Sequence, residues 1–489
     1  MMRAVHAPAE EKERQLAFAD QNRDIWCEGK RYFIMTYGCQ LNENDSERIA
    51  GLFDAMGMVA TDDMHQANVV VLNTCSIREN AAGRFFGNLG LIKNLKRDQP
   101  DLITIACGCL MKQDVHVERI RKSYYFVDIV FGPSDIWRLP ELLNQRLTQK
   151  SHVYEVGAVD PIVEDLPITR KRKYRALVSI MFGCNNFCTF CIVPQARGRE
   201  RSRYPEDIFK ELRSLGKDGF SEVMLLGQNV NSYGKDLRKQ NEYMSFPELL
   251  RHSAQDFNLP RIRFMTSHPR DIDDEVLHVM AENPNIERHL HLPLQSGSDA
   301  VLKKMNRHYD LKRYMSIVEK ARELMPDIAI TTDLIVGFPG ETEEDFQQTL
   351  AAMKEVGYEQ SFMFIYSPRP GTPAAKWPLP DQEEVKDRFM RMSALQNELS
   401  LAAMKKQEGK ELHLLCEGLS AQRDDRFAGR ASQNYLMNFE IKEDLLPERL
   451  RGLDPAQLGA ILEGRFVRAI VHQAKTFSLE GEALELFLD

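Results

Sequence analysis

The chain has 489 residues, 43% of them hydrophobic and 28% charged, with 28 glycines and 22 prolines; this excludes a disordered chain and allows about three ordinary domains. A formal net charge of −8 argues against a uniformly basic nucleic-acid binder, and nine cysteines, an odd number over a long chain, argue against a disulfide scaffold. Reduced thiols used as ligands are expected instead, and, with no apolar run long enough to span a bilayer and no signal peptide or membrane anchor, a cytoplasmic protein.

In chain order, residues 1–30 read as a mobile, polar leader ending near Trp26 and Cys27, to which no chemistry is assigned. A first domain is expected over 31–155. Its first apolar run, Arg31 to Tyr37, ends at Gly38-Cys39 and is followed by a helical pattern from Asp45 to Met56. The unit recurs: Ala67 to Thr74 ends at Cys75 with a helical stretch to about Lys96, Leu102 to Ala106 runs into Cys107-Gly-Cys109, and Phe126 to Val130 ends at Phe131-Gly132. Alternating strands and helices predict a parallel sheet whose ligands bind beyond the carboxyl ends of the strands. Cys39, Cys75 and Cys109 each follow such an end and can converge there on a metal cluster, although each alone also reads as a small core residue. Cys107, two residues before Cys109, is set aside as facing the other side of the sheet.

Residues 156–173 carry the proline and charge of a linker. Over 174–404, six strand-like runs alternate with amphipathic helices: Ala176 to Phe182, Glu222 to Leu226, Arg261 to Met265, His289 to Pro293, Ala329 to Leu334 and Gln360 to Tyr366. Right-handed crossovers would curl them into an open (β/α)6 partial barrel with its site at the strands' carboxyl ends. Just after the first run come Cys184, Cys188 and Cys191. Three thiolates this close, with no fourth nearby, can hold three corners of a cubic iron-sulfur cluster and leave one iron open to a non-protein ligand. A structural zinc site would want a fourth Cys or His, and Ile-Val-Pro-Gln-Ala-Arg follows Cys191; three unrelated buried cysteines is the remaining alternative. Basic runs flank this loop, Arg170 to Arg175 and Arg197 to Arg203. Such runs are commonly solvated surface, but their position makes them candidates for phosphate contact at the margin of a site. The glycines around Phe338 read as a tight turn, and His289 and His291 as strand residues. After a helical stretch from Glu383 to Glu408, short strand-like runs at Glu411 to Cys416, Gly429 to Asn434 and Gly464 to Val471 predict a small antiparallel β-barrel over 405–480, with Cys416 in its core.

Several segments carry a resemblance: Tyr37-Gly-Cys-Gln-Leu-Asn42, Asn73-Thr-Cys-Ser-Ile-Arg-Glu-Asn80, Gly108-Cys109, Gly183-Cys-Asn-Asn-Phe-Cys-Thr-Phe-Cys-Ile-Val-Pro194, Arg197 to Arg203 and Gly227-Gln-Asn-Val-Asn-Ser-Tyr-Gly234. Beyond the leader, nearly the whole chain resembles the radical S-adenosylmethionine (SAM) methylthiotransferases, which join an amino-terminal cluster domain, a radical SAM partial barrel and a carboxyl-terminal TRAM RNA-binding domain. Ser76 to Asn80 and the Gly227 tract are most similar to the branch acting on N6-dimethylallyladenosine beside the tRNA anticodon. One departure is local: the family usually continues Gly-Cys with Met-Ala-Gln, and here Cys109 is followed by Leu-Met-Lys-Gln113.

The resemblance implies two [4Fe-4S] clusters, on Cys184/Cys188/Cys191 and on Cys39/Cys75/Cys109. On the first, SAM is cleaved to a radical that removes hydrogen from carbon 2 of the adenine; the second supplies a methylated sulfur. No acid–base triad is nominated, because the C–H bond offers no useful acid. For SAM contacts the candidates are Gln228 and Asn229 at the end of the second strand, Gln295 at the end of the fourth, Arg307 on the following helix, and Asp333 in the fifth. Gln295, Arg307 and Asp333 occur in an order similar to the SAM-contacting set of the radical SAM coproporphyrinogen dehydrogenases; Arg307 would pair with the SAM carboxylate. A surface ion pair for Arg307 and a helix cap for Gln295 are the plain alternatives. The implied partners are the tRNA anticodon stem-loop and an electron donor such as a flavodoxin or ferredoxin, with the enzyme a monomer. Competing functions are the same chemistry on threonylcarbamoyladenosine or on a ribosomal-protein aspartate, and a non-catalytic iron-sulfur RNA-binding protein.

Overall fold

The computed structural model describes residues 8–76, 79–157, 161–240 and 243–488; part of the Ser76 to Asn80 motif and the first residues of the leader lie outside them. The amino-terminal domain is a six-stranded parallel sheet of β1 (Arg31–Thr36), β2 (Val59–Ala60), β3 (Val69–Thr74), β4 (Ile103–Gly108), β5 (Ile129–Phe131) and β6 (Val153–Glu155), in the order β2-β1-β3-β4-β5-β6. Every residue of β3 and β4 is buried, as a sheet covered on both faces requires. One face packs on Ile49, Phe53 and Leu142 and the other on Phe85, Leu89 and Ile120, from α2 (Gln40–Ala55), α5 (Leu139–Gln149), α3 (Glu79–Asp98) and α4 (Asp114–Ser123).

The leader is not a loose segment from residue 9 onward. It forms α1 (Ala9–Asn22), docked on α5: Arg14 donates to Glu141 at 2.7 Å and the Asn22 amide to the Pro140 carbonyl at 2.7 Å. Gln15 and Asn22 are fully buried and Cys27 lies in the core. Because this helix buries polar groups that hydrogen-bond across the contact, apolar periodicity does not reveal it.

All six predicted barrel strands are present, as β7 (Arg175–Ser179) with β8 (Met181–Phe182), then β10 (Glu222–Leu226), β11 (Arg261–Phe264), β12 (His289–His291), β13 (Ala329–Val336) and β14 (Gln360–Ile365). They form two parallel three-stranded sheets, β11-β10-β7 and β12-β13-β14, joined by a parallel bridge between Ile262 and Ile286. The first predicted strand is broken. β7 stops at Ser179, and β8 leaves the barrel to pair antiparallel with β9 (Arg201–Ser202), so residues 183–200 form a loop closed at its base by a two-stranded ribbon. Helices α6 (Val193–Ala196), α7 (Pro205–Lys217), α8 (Phe246–Gln255), α9 (Asp274–Glu282), α10 (Asp299–Lys304), α11 (Leu311–Leu324), α12 (Glu343–Val356) and α13 (Gln382–Lys405) fill the intervals. Gly337 and Gly340 have φ of 74° and 78°, and the Gly337 N–H donates to Glu341 at 2.7 Å: the predicted tight turn.

The carboxyl-terminal domain is a closed barrel of β15 (Glu411–Leu419), β16 (Phe427–Arg430), β17 (Leu436–Glu440), β18 (Phe466–Ala474) and β19 (Leu479–Phe487), with α14 (Pro455–Leu462) between β17 and β18. Three details differ from expectation. β17 pairs with β19 in parallel, so the barrel is not wholly antiparallel; β19 carries the domain past 480; and the predicted Gly429 to Asn434 strand stops at Arg430, before a turn in which Asn434 takes φ 69°. The barrel docks on the amino ends of the central strands. There Arg261 donates to the Arg430 carbonyl at 2.8 Å and Arg263 to that of Ala431 at 2.9 Å, while Glu222 and Glu287 neutralise both arginines.

The basic runs are solvated only in part: Lys171, Arg172, Lys173 and Arg199 are exposed, whereas Arg170, Arg197 and Arg203 are drawn into ion pairs. Arg170 bonds to Glu47 and Glu211, Arg172 to Glu463, and Arg203 to Glu164 and Glu211, so the linker is tied into both neighbouring domains. Burial alone would raise the Glu211 carboxyl, but Arg203 and Arg170 outweigh it and hold it at about 2, below the ordinary 4.5. A depressed folded value means that the ionised carboxylate stabilises the fold fully above about pH 4.5 and loses that contribution as pH falls through about 2. Urea denaturation of Glu211→Gln against wild type, repeated at several pH values, is expected to show a difference that is largest near neutrality and shrinks steadily below pH 4.5.

Candidate active site between two cysteine trios

The loop after β8 is shaped by its backbone. Gly183 takes φ 78°, and a Cβ there would lie 2.0 Å from the Arg199 carbonyl oxygen, so only glycine lets the two arms of the loop meet. The Cys184 N–H donates to Gly198 at 3.2 Å and that of Cys191 to Cys188 at 3.0 Å. A turn beyond α10 clamps the loop from below: Thr189 bonds through its N–H to Met305 at 3.0 Å and through its hydroxyl to Lys304 at 2.9 Å, and the Asn306 amide to Phe187 at 3.0 Å. Arg307 lies in this turn rather than on a helix, because α10 ends at Lys304 and Asn306 and His308 take positive φ. Its guanidinium donates to the Cys188 sulfur at 3.4 Å, to the Pro293 carbonyl at 3.1 Å and to the Tyr309 hydroxyl at 3.0 Å. It is buried and makes no surface ion pair.

The amino-terminal trio is assembled by strand ends. Cys39 caps α2, Cys75 follows β3 and Cys109 follows β4. A Cβ at Gly38 would lie 2.4 Å from that of Cys75, and one at Gly108 would lie 2.4 Å from the Thr74 carbonyl oxygen; glycine at both places lets three loops close up. The Asn42 amide ties Tyr37 and Thr74 together at 2.9 and 2.7 Å. Cys107 is separated from Cys109 by the turn at Gly108, φ 95°, and not by strand alternation, since residues two apart on a strand share a face. Its thiol packs in the core beside Ile105 and Phe131.

Burial pushes the Cys109 thiol up to about 12, with Arg197 opposing and Cys75 and Cys39 adding to the rise. Cys191 is pushed up to about 12 by burial together with Cys188 and Cys184. The members of each trio therefore feel one another's charge. As the side chains stand, no three His, Cys, Asp or Glu among the described residues could hold a metal ion. The corners of a four-iron cube are, however, farther apart than ligands meeting on one ion, and buried thiols that disfavour one another's ionisation are relieved by a cationic centre between them. The donor sets fit such a cluster in chemistry and number.

Arg197, at the far end of the Cys184 to Cys191 loop, bridges the trios. Its guanidinium donates to Asp45 at 2.6 Å and to Asn42 at 3.0 Å, and the Cys39 thiol donates to the same Asn42 oxygen at 3.7 Å. Burial opposes its charge, but Asp45, then Cys109 and Cys39, hold it above the ordinary arginine range. From the sequence it reads as a basic run at the margin; its partner Asp45, six residues beyond Cys39, is the signal that could have located it. Leu41 completes the contact by packing on Leu177, Met224 and Leu226.

A cavity of about 830 Å³ opens between Tyr37 and Gly38 on one side and Cys191, Gln295 and Asp333 on the other. Gln295 does not cap a helix; at φ 71° it is stitched to β13 by its N–H to Asp333 at 2.8 Å and by its carbonyl, which accepts from Ile335 at 2.9 Å. Asp333, its side chain 32% exposed, stands 3.6 Å from the His291 ring. Gln228, Asn229 and Arg307 are not on this lining. Gln228 accepts from the Gly183 N–H, and the Asn229 amide donates to Asp271 at 2.7 Å; both follow the end of β10. His289 and His291 share the Thr331 hydroxyl as strand residues.

Among families, the radical SAM superfamily matches residues 178–353 and the uncharacterized protein family UPF0004 residues 31–132. The chain is 46% identical over 459 residues to the tRNA-2-methylthio-N(6)-dimethylallyladenosine synthase of Bacillus subtilis (strain 168), covering 93% of this chain and 86% of the relative. Its identity to the synthase of that name from Acetivibrio thermocellus is 43% over 486 residues, 98% of this chain and 97% of the relative. Among solved structures, the radical S-adenosylmethionine methyltransferase TsrM from Kitasatospora setae, with tryptophan substrate and a SAM analogue bound, aligns with a TM-score of 0.53 at 14% identity over 71% of this chain and 75% of its own, a likeness of fold.

Two measurements test the site. Reconstituted under anaerobic conditions, the chain is expected to hold about eight irons, falling by about half when Cys39, Cys75 and Cys109 are all replaced by Ala; an unchanged iron count would remove those cysteines as ligands. Arg197→Ala, which strands the buried Asp45 carboxylate, is expected to cost about 3–5 kcal/mol in chemical denaturation, and adding Asp45→Ala to recover part of that loss.

Proposed function

The chain belongs to the family of tRNA-2-methylthio-N(6)-dimethylallyladenosine synthases, radical SAM methylthiotransferases, and from that membership we propose that it converts N6-dimethylallyladenosine beside the tRNA anticodon into its 2-methylthio derivative. The observation that carries the reading is the cavity bounded by Cys191 on one wall and by Gly38, next to Cys39, on the other. A [4Fe-4S] cluster with SAM, when bound, supplies hydrogen abstraction from an unactivated carbon, and the second cluster supplies the sulfur, chemistry for which the cavity's acids and bases are unsuited.

The protein's own part is holding and spacing. In this reading Cys184, Cys188 and Cys191 hold the cluster that takes SAM, and Cys39, Cys75 and Cys109 hold the other. Gln295 and Asp333 present an amide and a carboxylate to SAM from the cavity wall. Arg307, bonded to the Cys188 sulfur, orients the loop and offers a cation beside it. Gln228 holds Gly183 and so acts on the loop, while Asn229 acts through Asp271. Arg197 keeps the two trios in register. The carboxyl-terminal barrel serves as a TRAM module gripping the tRNA, a flavodoxin or ferredoxin supplies the electron, and the enzyme works as a monomer in the cytoplasm. Among the described residues no helix is long and apolar enough to cross a membrane.

Nucleoside analysis of tRNA from a strain lacking this chain is the direct test: the dimethylallyl nucleoside should accumulate and its methylthio form vanish. Unchanged nucleosides would refute the substrate. Anaerobic incubation with SAM and a strong reductant should release 5′-deoxyadenosine; its absence would favour a binding protein.

A further inference from the structure

The last strand of the partial barrel pairs on one side only, with β13, and leaves large apolar side chains uncovered. On β14, Phe362 is 43% exposed, Phe364 44% and Ile365 40%. Phe362 is in register with Asp333 and Phe364 with Ile335, so these pairs share the face of the sheet that looks into the barrel. Phe362 meets the His291 ring edge-to-face at 5.9 Å. Phe364 and Ile335 lie on the same cavity lining as Cys191, Gln295 and Asp333; Met363 and Ile365, which alternate to the other face, and Phe389 of α13 border it at the open edge of the strand.

That lining is of mixed character. Near Gln295 and Asp333 it offers an amide and a carboxylate. At Ile335 and Phe364, partners in register, it offers hydrocarbon and an aromatic face, and Arg84 and Arg369 also stand on the lining. Contiguous exposed apolar surface inside a cavity is costly unless a ligand covers it. A flat, polar ring carrying a short hydrocarbon arm matches both parts: the ring toward the polar end and the cysteine trios, the arm along the apolar end. SAM, charged at its amino-acid end and polar at its ribose, has no such arm.

We propose that the inner face of β14, centred on Phe364 with Ile335 beside it, is the recognition wall for the branched five-carbon arm on N6 of the substrate adenine. The proposal rests on the substrate reading above and adds the residue that distinguishes prenylated from unprenylated RNA.

The test is binding of anticodon stem-loop RNA, with and without the dimethylallyl group, to the full cluster-loaded chain under anaerobic conditions, read by fluorescence anisotropy. Wild type is expected to favour the prenylated RNA by roughly tenfold, a modest share of what burying five carbons can yield. Phe364→Ala should bring that preference to about twofold or less, chiefly by weakening the prenylated complex, while Phe364→Leu keeps most of it. Iron content equal to wild type checks that the variants are folded. A Phe364→Ala chain that keeps the wild-type preference overturns the proposal, and so does an equal loss for both RNAs, which would assign Phe364 to stacking on a base. Product analysis separates the levels: a wild type that forms no 2-methylthio nucleoside defeats the substrate reading itself, whereas product formed with an unchanged preference defeats only the wall.

Discussion

The ion pair between Arg197 and Asp45, with Asn42 as a third member, joins the two halves of the molecule at the point where their chemistry meets. One partner stands at the end of the Cys184 to Cys191 loop and the other on the helix that Cys39 caps. Such a pair gains little net stability over an apolar contact, because both charges are taken out of water, but breaking it leaves one of them stranded. What it contributes is register. A loop free to shift by an ångström would shift three sulfurs with it, and reacting groups held by two separate domains tolerate little misplacement. Leu41 against Leu177, Met224 and Leu226 supplies the apolar area, and the pair decides where along that surface the domains stop.

The same economy governs the glycines. Gly38, Gly108 and Gly183 each occupy a place where a Cβ would collide with backbone or with a cysteine. They allow segments far apart in sequence to bring their sulfurs within reach of one another's charge. The ligand loops are therefore built by close backbone approach first and side-chain hydrogen bonds second, and the amides of Asn42 and Asn306 then lock that approach.

Much of the fold was legible because strand runs and helical periods alternate strongly. The six central strands and the amino-terminal sheet follow from buried apolar runs ending at Gly, Cys or charged residues, and the cysteine spacing pointed to the cavity. What escaped was local or polar. Two-residue strands at Met181–Phe182 and Arg201–Ser202 are too short to show periodicity, so the first strand looked continuous. The helix Ala9–Asn22 buries Gln15 and Asn22 where a pattern reader expects leucine. Arg170, Arg197 and Arg203 looked like a charged surface because their carboxylate partners, Glu47, Asp45 and Glu164, are distant in sequence or lie across a linker. Arg307 looked helical because nothing in the letters marks the positive φ of Asn306 and His308.

The carboxyl-terminal barrel is fastened at Arg261 and Arg263, at the amino ends of the central strands, while the cavity opens at their carboxyl ends. On β13, Ala329 packs against that barrel and Asp333 lines the cavity, so the two are separated along the strand by four residues, about 13 Å of extended chain. The docked barrel and the open cavity therefore sit at opposite ends of the same strands, and any one molecule touching both would have to pass around the outside of the partial barrel.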